Sequence, residues 1–223
     1  MAASRSALLA GSTGLIGRAL LPLLLQDERY ARVHALLRRP VPGIADHPKL
    51  QLHQVDFANL PDTLPRCDDV YIALGTTIKT AGSQAAFRAV DFDAVVDTAR
   101  AARRAGATRL AVVSALGADA ASRVFYNRVK GEMQQAIAAL GYESVLIAQP
   151  SLLAGDRAAL GQPTRAGEEW AMRLLRPVMG LVPRSIRPIE AATVARAMLR
   201  ATLADNAAGL RFLSSAEMQR LGR

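Results

Sequence analysis

Three glycines constrain this chain more than any other feature: Gly11, Gly14 and Gly17 punctuate the run Gly11-Ser12-Thr13-Gly14-Leu15-Ile16-Gly17 as G-x-x-G-x-x-G. Ahead of them residues 6–10 are apolar enough for a short buried strand, and behind them an apolar helical pattern reaches residue 25. A strand that turns on glycine into a helix is the opening unit of a nucleotide-binding α/β sheet. A Cβ at the first glycine obstructs the tight turn, at the second it bars a pyrophosphate, and at the third it holds the helix off the strand. The helix N-terminus then offers unsatisfied N–H groups and a partial positive charge to phosphate. Gly11, Ser12, Thr13, Gly14, Leu15, Ile16 and Gly17 are therefore assigned to cofactor binding.

The same rhythm continues along the chain. Residues 32–37, 50–55, 69–74, 108–114 and 144–148 read as strands, with Pro40 closing the first of these and Gly75 the third. Residues 83–105 and 122–140 read as helices, the former opened by Ser83 as N-cap and stopped by Gly106, the latter stopped by Gly141. Pro22 inside the first helix removes a backbone donor and predicts a kink near residues 18–22. Past residue 154 the rhythm weakens into a loop at 155–167, a short helix at 168–176 and a two-proline stretch at 180–188, before a helix at 190–203 and a closing strand at 210–213. Trp170, with Met172, Leu174 and Leu175, fits ordinary packing or a lid or interface helix.

Alternating strands and helices predict an α/β class chain, a doubly wound parallel sheet of the Rossmann kind. At 223 residues one domain is expected over 1–223. Its core spans about 5–150 and a small substrate-covering region about 151–223.

The strand that follows the first helix ends in Leu36-Leu37-Arg38-Arg39. A free ribose 2′-hydroxyl is usually held by a carboxylate about 20 residues beyond the third glycine, and none stands here. Guanidinium groups suit a 2′-phosphate instead, through charge-assisted and often bidentate hydrogen bonds. Arg38 and Arg39 therefore point to NADP(H). Asp56, ending the third strand, either faces the adenine or serves a cap or turn.

Tyr126-Asn127-Arg128-Val129-Lys130 sits on a predicted helix, where i, i+4 spacing puts phenol and ammonium on one face. A phenol with a reference pKa near ~10 needs a neighbouring cation to exchange protons readily at neutral pH. Lys130 can supply that charge, and Ser114, at the end of the fifth strand, can hold a carbonyl oxygen. Tyr126, Lys130 and Ser114 are the candidate catalytic residues.

Together with Leu37-Arg38-Arg39, Ala73-Leu74-Gly75-Thr76-Thr77, Tyr126-Asn127-Arg128-Val129-Lys130-Gly131-Glu132 and Gln149-Pro150-Ser151-Leu152-Leu153, the glycine run resembles the short-chain dehydrogenase/reductase superfamily. Within it the chain looks like the atypical, Tat-interacting-protein-like subgroup, and the likeness spans nearly the whole sequence. The resemblance implies an NADPH-bound Rossmann fold. It implies that Leu74, Gly75 and Thr76 line the cofactor, as does Lys130, and that Pro150, Ser151, Leu152 and Leu153 flank the nicotinamide. Two positions depart from the pattern: Val90-Asp91 stands where many members have asparagine, and Gln149 where the subgroup often has arginine. Asp91 either bonds a group of the cofactor site or faces solvent.

Composition narrows the alternatives. The 28 basic residues against 19 acidic ones give a net charge of +9, yet three are lysines and no basic run reaches five, so no nucleic-acid partner is expected. No stretch approaches the ~20 apolar residues of a membrane helix, and Gly11 cuts the first apolar run short of a signal sequence. A lone cysteine, Cys67, fits a reducing compartment, and a cytoplasmic protein is expected. His34, His47 and His53 are dispersed and no metal is implied. Ser12 and Ser114 lack the surroundings of a nucleophile elbow.

Two functions fit. One is an oxidoreductase acting on a small carbonyl or alcohol, with a homodimer or a protein partner left open. The other is a non-catalytic NADP(H)-binding regulator working through protein partners, which the resemblance also allows.

Overall fold

The computed structural model describes residues 5–41, 46–61, 63–154, 187–204 and 208–223. The expected loop at 155–167, the helix at 168–176 with Trp170, and most of 180–188 lie outside the described residues. In chain order the elements begin with β1 (Arg5–Ala10), α1 (Leu15–Gln26), β2 (Tyr30–Leu37), β3 (Leu50–Gln54) and β4 (Asp69–Ile72). Then come α2 (Ile78–Ala81), α3 (Gln84–Arg88), a π turn (Ala89–Asp93), α4 (Ala94–Arg104), β5 (Arg109–Val113) and α5 (Phe125–Ala138). The chain closes with β6 (Ser144–Gln149), β7 (Leu153–Ala154), β8 (Ile189–Glu190), α6 (Ala191–Thr202), β9 (Gly209–Ser214) and α7 (Ser215–Leu221).

Among the described residues β3-β2-β1-β4-β5-β6-β9 form one seven-stranded sheet in which every pairing is parallel. It is an α/β doubly wound Rossmann sheet. Strand alternation sends neighbouring residues of β1 to opposite cores. Ala7 and Leu9 join Ile16, Leu20 and Leu24 of α1 and Val194 and Met198 of α6 on one face. Leu8 and Ala10 join Val95 and Ala99 of α4 and Met133 and Ile137 of α5 on the other. Each fully buried Leu, Val, Ile or Met among these is worth about 1.5–3 kcal/mol. Strand order reverses between β1 and β4, and ligands of such sheets bind in the crevice outside the carboxyl ends at that reversal.

Several local features differ from expectation. The helix expected over 83–105 is interrupted: Ser83 does cap it, accepting a hydrogen bond from Ala86 N–H, but Ala89–Asp93 forms a π turn in which Ala94 N–H reaches back to Ala89 O. The helix expected from residue 122 starts at Phe125. Asp119 Oδ1 accepts from Ala121 N–H and Ser122 Oγ from Val124 N–H, local turns that compete with helix. A two-stranded β7-β8 pair and the terminal α7, closed by a Ser214–Glu217 capping box, were not anticipated. α1 runs unbroken across Pro22, which faces solvent.

At the amino end of the sheet lies a buried polar cluster. Asp69, fully buried, accepts from Arg5 Nε and Nη2 at 2.7 and 2.6 Å and from the Tyr30 hydroxyl at 2.9 Å, and the Tyr30 and Tyr71 hydroxyls lie 2.8 Å apart. Burial, first of all, holds both phenols far above their usual range. The cluster ties β1, β2 and β4 where no ligand is expected. Asp69→Ala leaves Arg5 and Tyr30 without their acceptor, and it is expected to lower unfolding free energy by about 3 kcal/mol in urea titration, whereas Tyr30→Phe costs about 1 kcal/mol.

Candidate cofactor and active site

The glycine turn leaves β1 at Gly11, whose φ of +93° is a left-handed conformation. A Cβ there would lie 2.5 Å from Ala73 O, so the backbone leaving β4 presses directly on the turn. A Cβ on Gly17 would lie 2.0 Å from Gly11 O, which is how α1 comes close enough to start at Leu15. At Gly14 a Cβ would meet only ordinary contacts, Gly11 O at 3.5 Å and Ala73 O at 3.8 Å. Gly14 caps α1 without a side-chain hydrogen bond, so the first N–H groups of the helix remain available. Ser12 Oγ is buried and has no hydrogen-bond partner among the described residues. An orphaned buried hydroxyl beside free helix N–H groups fits a phosphate group.

Arg38 and Arg39 follow β2 and are exposed. Arg38 lines an open depression of about 550 Å³ with Gln54, Val55 and Asp56. Asp56 commits both carboxylate oxygens to its own turn, accepting from Ala58 N–H and Asn59 Nδ2 at 3.0 Å each. Those bonds hold its carboxyl below the usual range.

Beyond β4 the chain passes Leu74, partly buried, and Gly75, exposed, to Thr76, whose N–H donates to Asp91 Oδ2 at 2.8 Å. Asp91 Oδ1 is 2.7 Å from Lys130 Nζ, and the two side chains are 1% and 4% exposed. Asp91 thus bonds the cofactor-side loop and does not face solvent. Of the two roles the sequence left open for Asp91, the first holds, and the π turn decides between them.

Tyr126, Lys130 and Gln134 are spaced i, i+4, i+8 along α5. Tyr126 packs its ring 5.5 Å from that of Phe87, and burial, then the charge of Asp91, pushes its phenol up to about 12. Ser114 directly follows β5 and is buried; its Oγ accepts from Gln134 Nε2 at 2.6 Å, and Gln134 Oε1 in turn accepts from Gln149 Nε2 at 3.5 Å. Gln134 escaped the sequence reading, although its place four residues past Lys130 was the available signal. The loop before α5 crosses the helix at Gly131, where a Cβ would lie 2.1 Å from Ala120 N.

Pro150 O accepts from Leu116 N–H, linking the loops after β5 and β6. Ser151 Oγ donates to Arg187 O at 2.5 Å and lies 2.9 Å from Ser215 Oγ, Leu152 is exposed, and Leu153 pairs with Ile189. His34 and His53, far apart in sequence, meet across β2 and β3 with Nδ1 and Nε2 3.0 Å apart. Among the described residues no group of three or more His, Cys, Asp or Glu could hold a metal ion, and no helix is long and apolar enough to cross a membrane.

A doubly wound sheet with a phosphate-shaped first turn at its reversal point defines a dinucleotide-binding Rossmann protein. The NAD(P)H-binding family matches residues 11–152, and the chain belongs to it. Protein FMP52 of Coccidioides immitis is 30% identical over 246 residues, covering 96% of this chain and 95% of the relative. Among solved structures, MoeE5 in complex with UDP-glucose and NAD has a TM-score of 0.67 at 18% identity, covering 94% of this chain and 76% of that one. A short chain dehydrogenase family protein from Francisella tularensis has a TM-score of 0.67 at 14% identity, with 96% and 99% covered. These two structures speak for the fold.

The relatives overturn one expectation. FMP52 of Coccidioides immitis and further matching relatives are named mitochondrial, against the cytoplasmic reading. A lone cysteine reports redox conditions and does not separate one reducing compartment from another.

Gln134→Leu removes the donor to the buried Ser114 hydroxyl and the acceptor of Gln149. It is expected to cost about 1–3 kcal/mol of stability, read by urea titration.

Proposed function

We propose that the chain is an NADP(H)-dependent oxidoreductase acting on a small carbonyl or alcohol, with Tyr126 as proton donor and acceptor. The observation that carries this is the burial of Lys130: a tyrosine and lysine merely sharing a helix surface would leave the ammonium in water, whereas this one is 4% exposed beside the loop after β4. The glycine turn with its Ser12 hydroxyl would hold the pyrophosphate, Arg38 and Arg39 the 2′-phosphate, and residues 74–76 and 150–153 the walls of the dinucleotide groove. When bound, NADPH supplies the hydride.

The protein's own part is the proton and the oxygen. Gln134 donates to Ser114 Oγ, which turns the serine proton outward as a donor for a substrate oxygen. Tyr126, with its phenol raised to about 12, stays protonated at neutral pH and gives its proton to the alkoxide that forms as a carbonyl is reduced. Lys130 reaches the site paired with Asp91. One domain carries all of these groups, with the residues past 150 on the substrate side.

Two measurements test the reading. Calorimetric titration is expected to show NADPH binding more tightly than NADH, with Arg38→Ala weakening NADPH by about 10-fold or more, the loss of one charge-assisted contact of about 1.5–3 kcal/mol. Equal affinities in the parent protein would sink the 2′-phosphate assignment. NADPH oxidation against a panel of aldehydes and ketones is expected to fall at least about 100-fold in Tyr126→Phe, the contribution of a positioned acid, with cofactor affinity retained. Tight NADPH binding without turnover of any compound replaces the oxidoreductase with the NADP(H)-binding regulator.

A further inference from the structure

We propose that the carbonyl compound taken by this site carries an uncharged apolar chain, seated against Leu116, Val124 and Leu152. This deepens the proposed function and rests on its placement of Ser114 and Tyr126.

Eight large hydrophobic side chains are exposed among the described residues, and half of them stand at the carboxyl end of the sheet. Ile78 opens α2 after β4, Leu116 and Val124 lie between β5 and α5, and Leu152 follows β6. β4, β5 and β6 are parallel neighbours, so the loops that leave them adjoin one another. The other four lie on the edge strands β3 and β9 and at the end of α7. Apolar side chains gathered at the rim of a cleft mark a ligand surface, whereas scattered ones are ordinary.

Position ties three of them to the chemistry. Leu116 stands two residues after Ser114, and Val124 two before Tyr126. Leu116 N–H donates to Pro150 O at 2.9 Å and Leu152 O accepts from Ile189 N–H at 3.0 Å, so both backbones are held while the side chains stay 45% and 51% exposed. Val124 is 59% exposed and is the N-cap of α5, yet it makes no side-chain cap bond. Valine is among the poorest residues there, where Ser, Thr, Asp or Asn satisfies a helix N–H. A side chain that serves neither core nor cap breaks a local rule, and such breaks gather at functional sites.

Most charges near this surface are already engaged. Lys130 is paired with Asp91, the Asp119 carboxylate accepts from Ala121 N–H, and the Arg128 guanidinium donates to Ser122 O. Gln149 is uncharged, with its amide turned to Gln134. Lys79 and Arg123, exposed beside Ile78 and Val124, are the cations an anionic substrate would use instead, and a carboxylate-ended analogue separates the two surfaces.

The test titrates the full-length chain with 2-butanone, 2-hexanone and 2-octanone and reads affinity from NMR shift changes, with NADP+ and separately NAD+ present so that no hydride transfers. Affinity is expected to rise about 2- to 4-fold for each added CH2. 7-Oxooctanoate, which ends in a carboxylate where 2-octanone ends in a methyl, is expected to bind at least about 10-fold more weakly than 2-octanone. A flat series, or a carboxylate that binds as tightly as 2-octanone, overturns the proposal.

Leu116→Ser/Leu152→Ser leaves both backbone bonds in place and is expected to flatten the series, with 2-octanone weakened about 10-fold and 2-butanone unchanged; a retained slope overturns the proposal. Val124→Thr, close in volume and a better cap, is expected to unfold at the same or a higher urea concentration yet to bind 2-octanone about 3-fold more weakly, a loss that a purely structural valine would not cause. A slope without reduction of any of these ketones by NADPH defeats the oxidoreductase reading and leaves the apolar site standing. Reduction of short ketones with a flat series keeps that reading and overturns the proposal. A flat series with self-association that is lost in the double variant assigns the surface to a second copy of the chain and overturns it too.

Discussion

The ion pair between Asp91 and Lys130 is the interaction on which the site depends, because it joins side chains from segments far apart along the chain. Taking both charges out of water costs several kcal/mol per ion, and attraction repays this only with close geometry and further hydrogen bonds. Both conditions are met: the pair is 2.7 Å apart, and the second carboxylate oxygen is satisfied by Thr76 N–H. The loop after β4, the π turn and α5 consequently share one electrostatic anchor.

A second constraint acts through sterics. The backbone at Ala73 lies so close to the first turn that only glycine fits at Gly11, and Gly11 O in turn excludes any side chain at Gly17. The phosphate turn and the loop after β4 therefore stand in fixed relation, and Asp91 extends that relation to α5. Polar groups at the opposite end of the sheet are treated differently. Asp69, Arg5, Tyr30 and Tyr71 satisfy one another, whereas Ser12 at the carboxyl end finds no partner among the described residues. Satisfied polar groups stabilise, and an unsatisfied one marks where a ligand's atoms belong.

The strands were legible because short runs of high strand propensity set off by turn residues carry their own signal, and all seven expected strands enter the sheet. Helix ends were less so. Asp119 and Ser122 draw nearby N–H groups into local turns, delaying α5 to Phe125, and the π turn splits a stretch whose apolar pattern looks continuous. In the site, the glycine run and the Tyr126–Lys130 spacing could be read directly. Gln134 as the partner of Ser114, and His34 beside His53, could not, because each contact joins residues brought together only by strand pairing or helix packing.

What the sequence by itself determined was the nucleotide-binding opening, the parallel alternation of strands and helices, and the residue types available for proton transfer; these follow from local spacing and chain stiffness. Only the tertiary structure decided which partner each group meets. Asp91 could have faced water, and Lys130 could have served Tyr126 alone. The extra width of one helical turn, placed against the loop after β4, gives the lysine to the aspartate instead, since a buried charge takes the nearest partner that satisfies it.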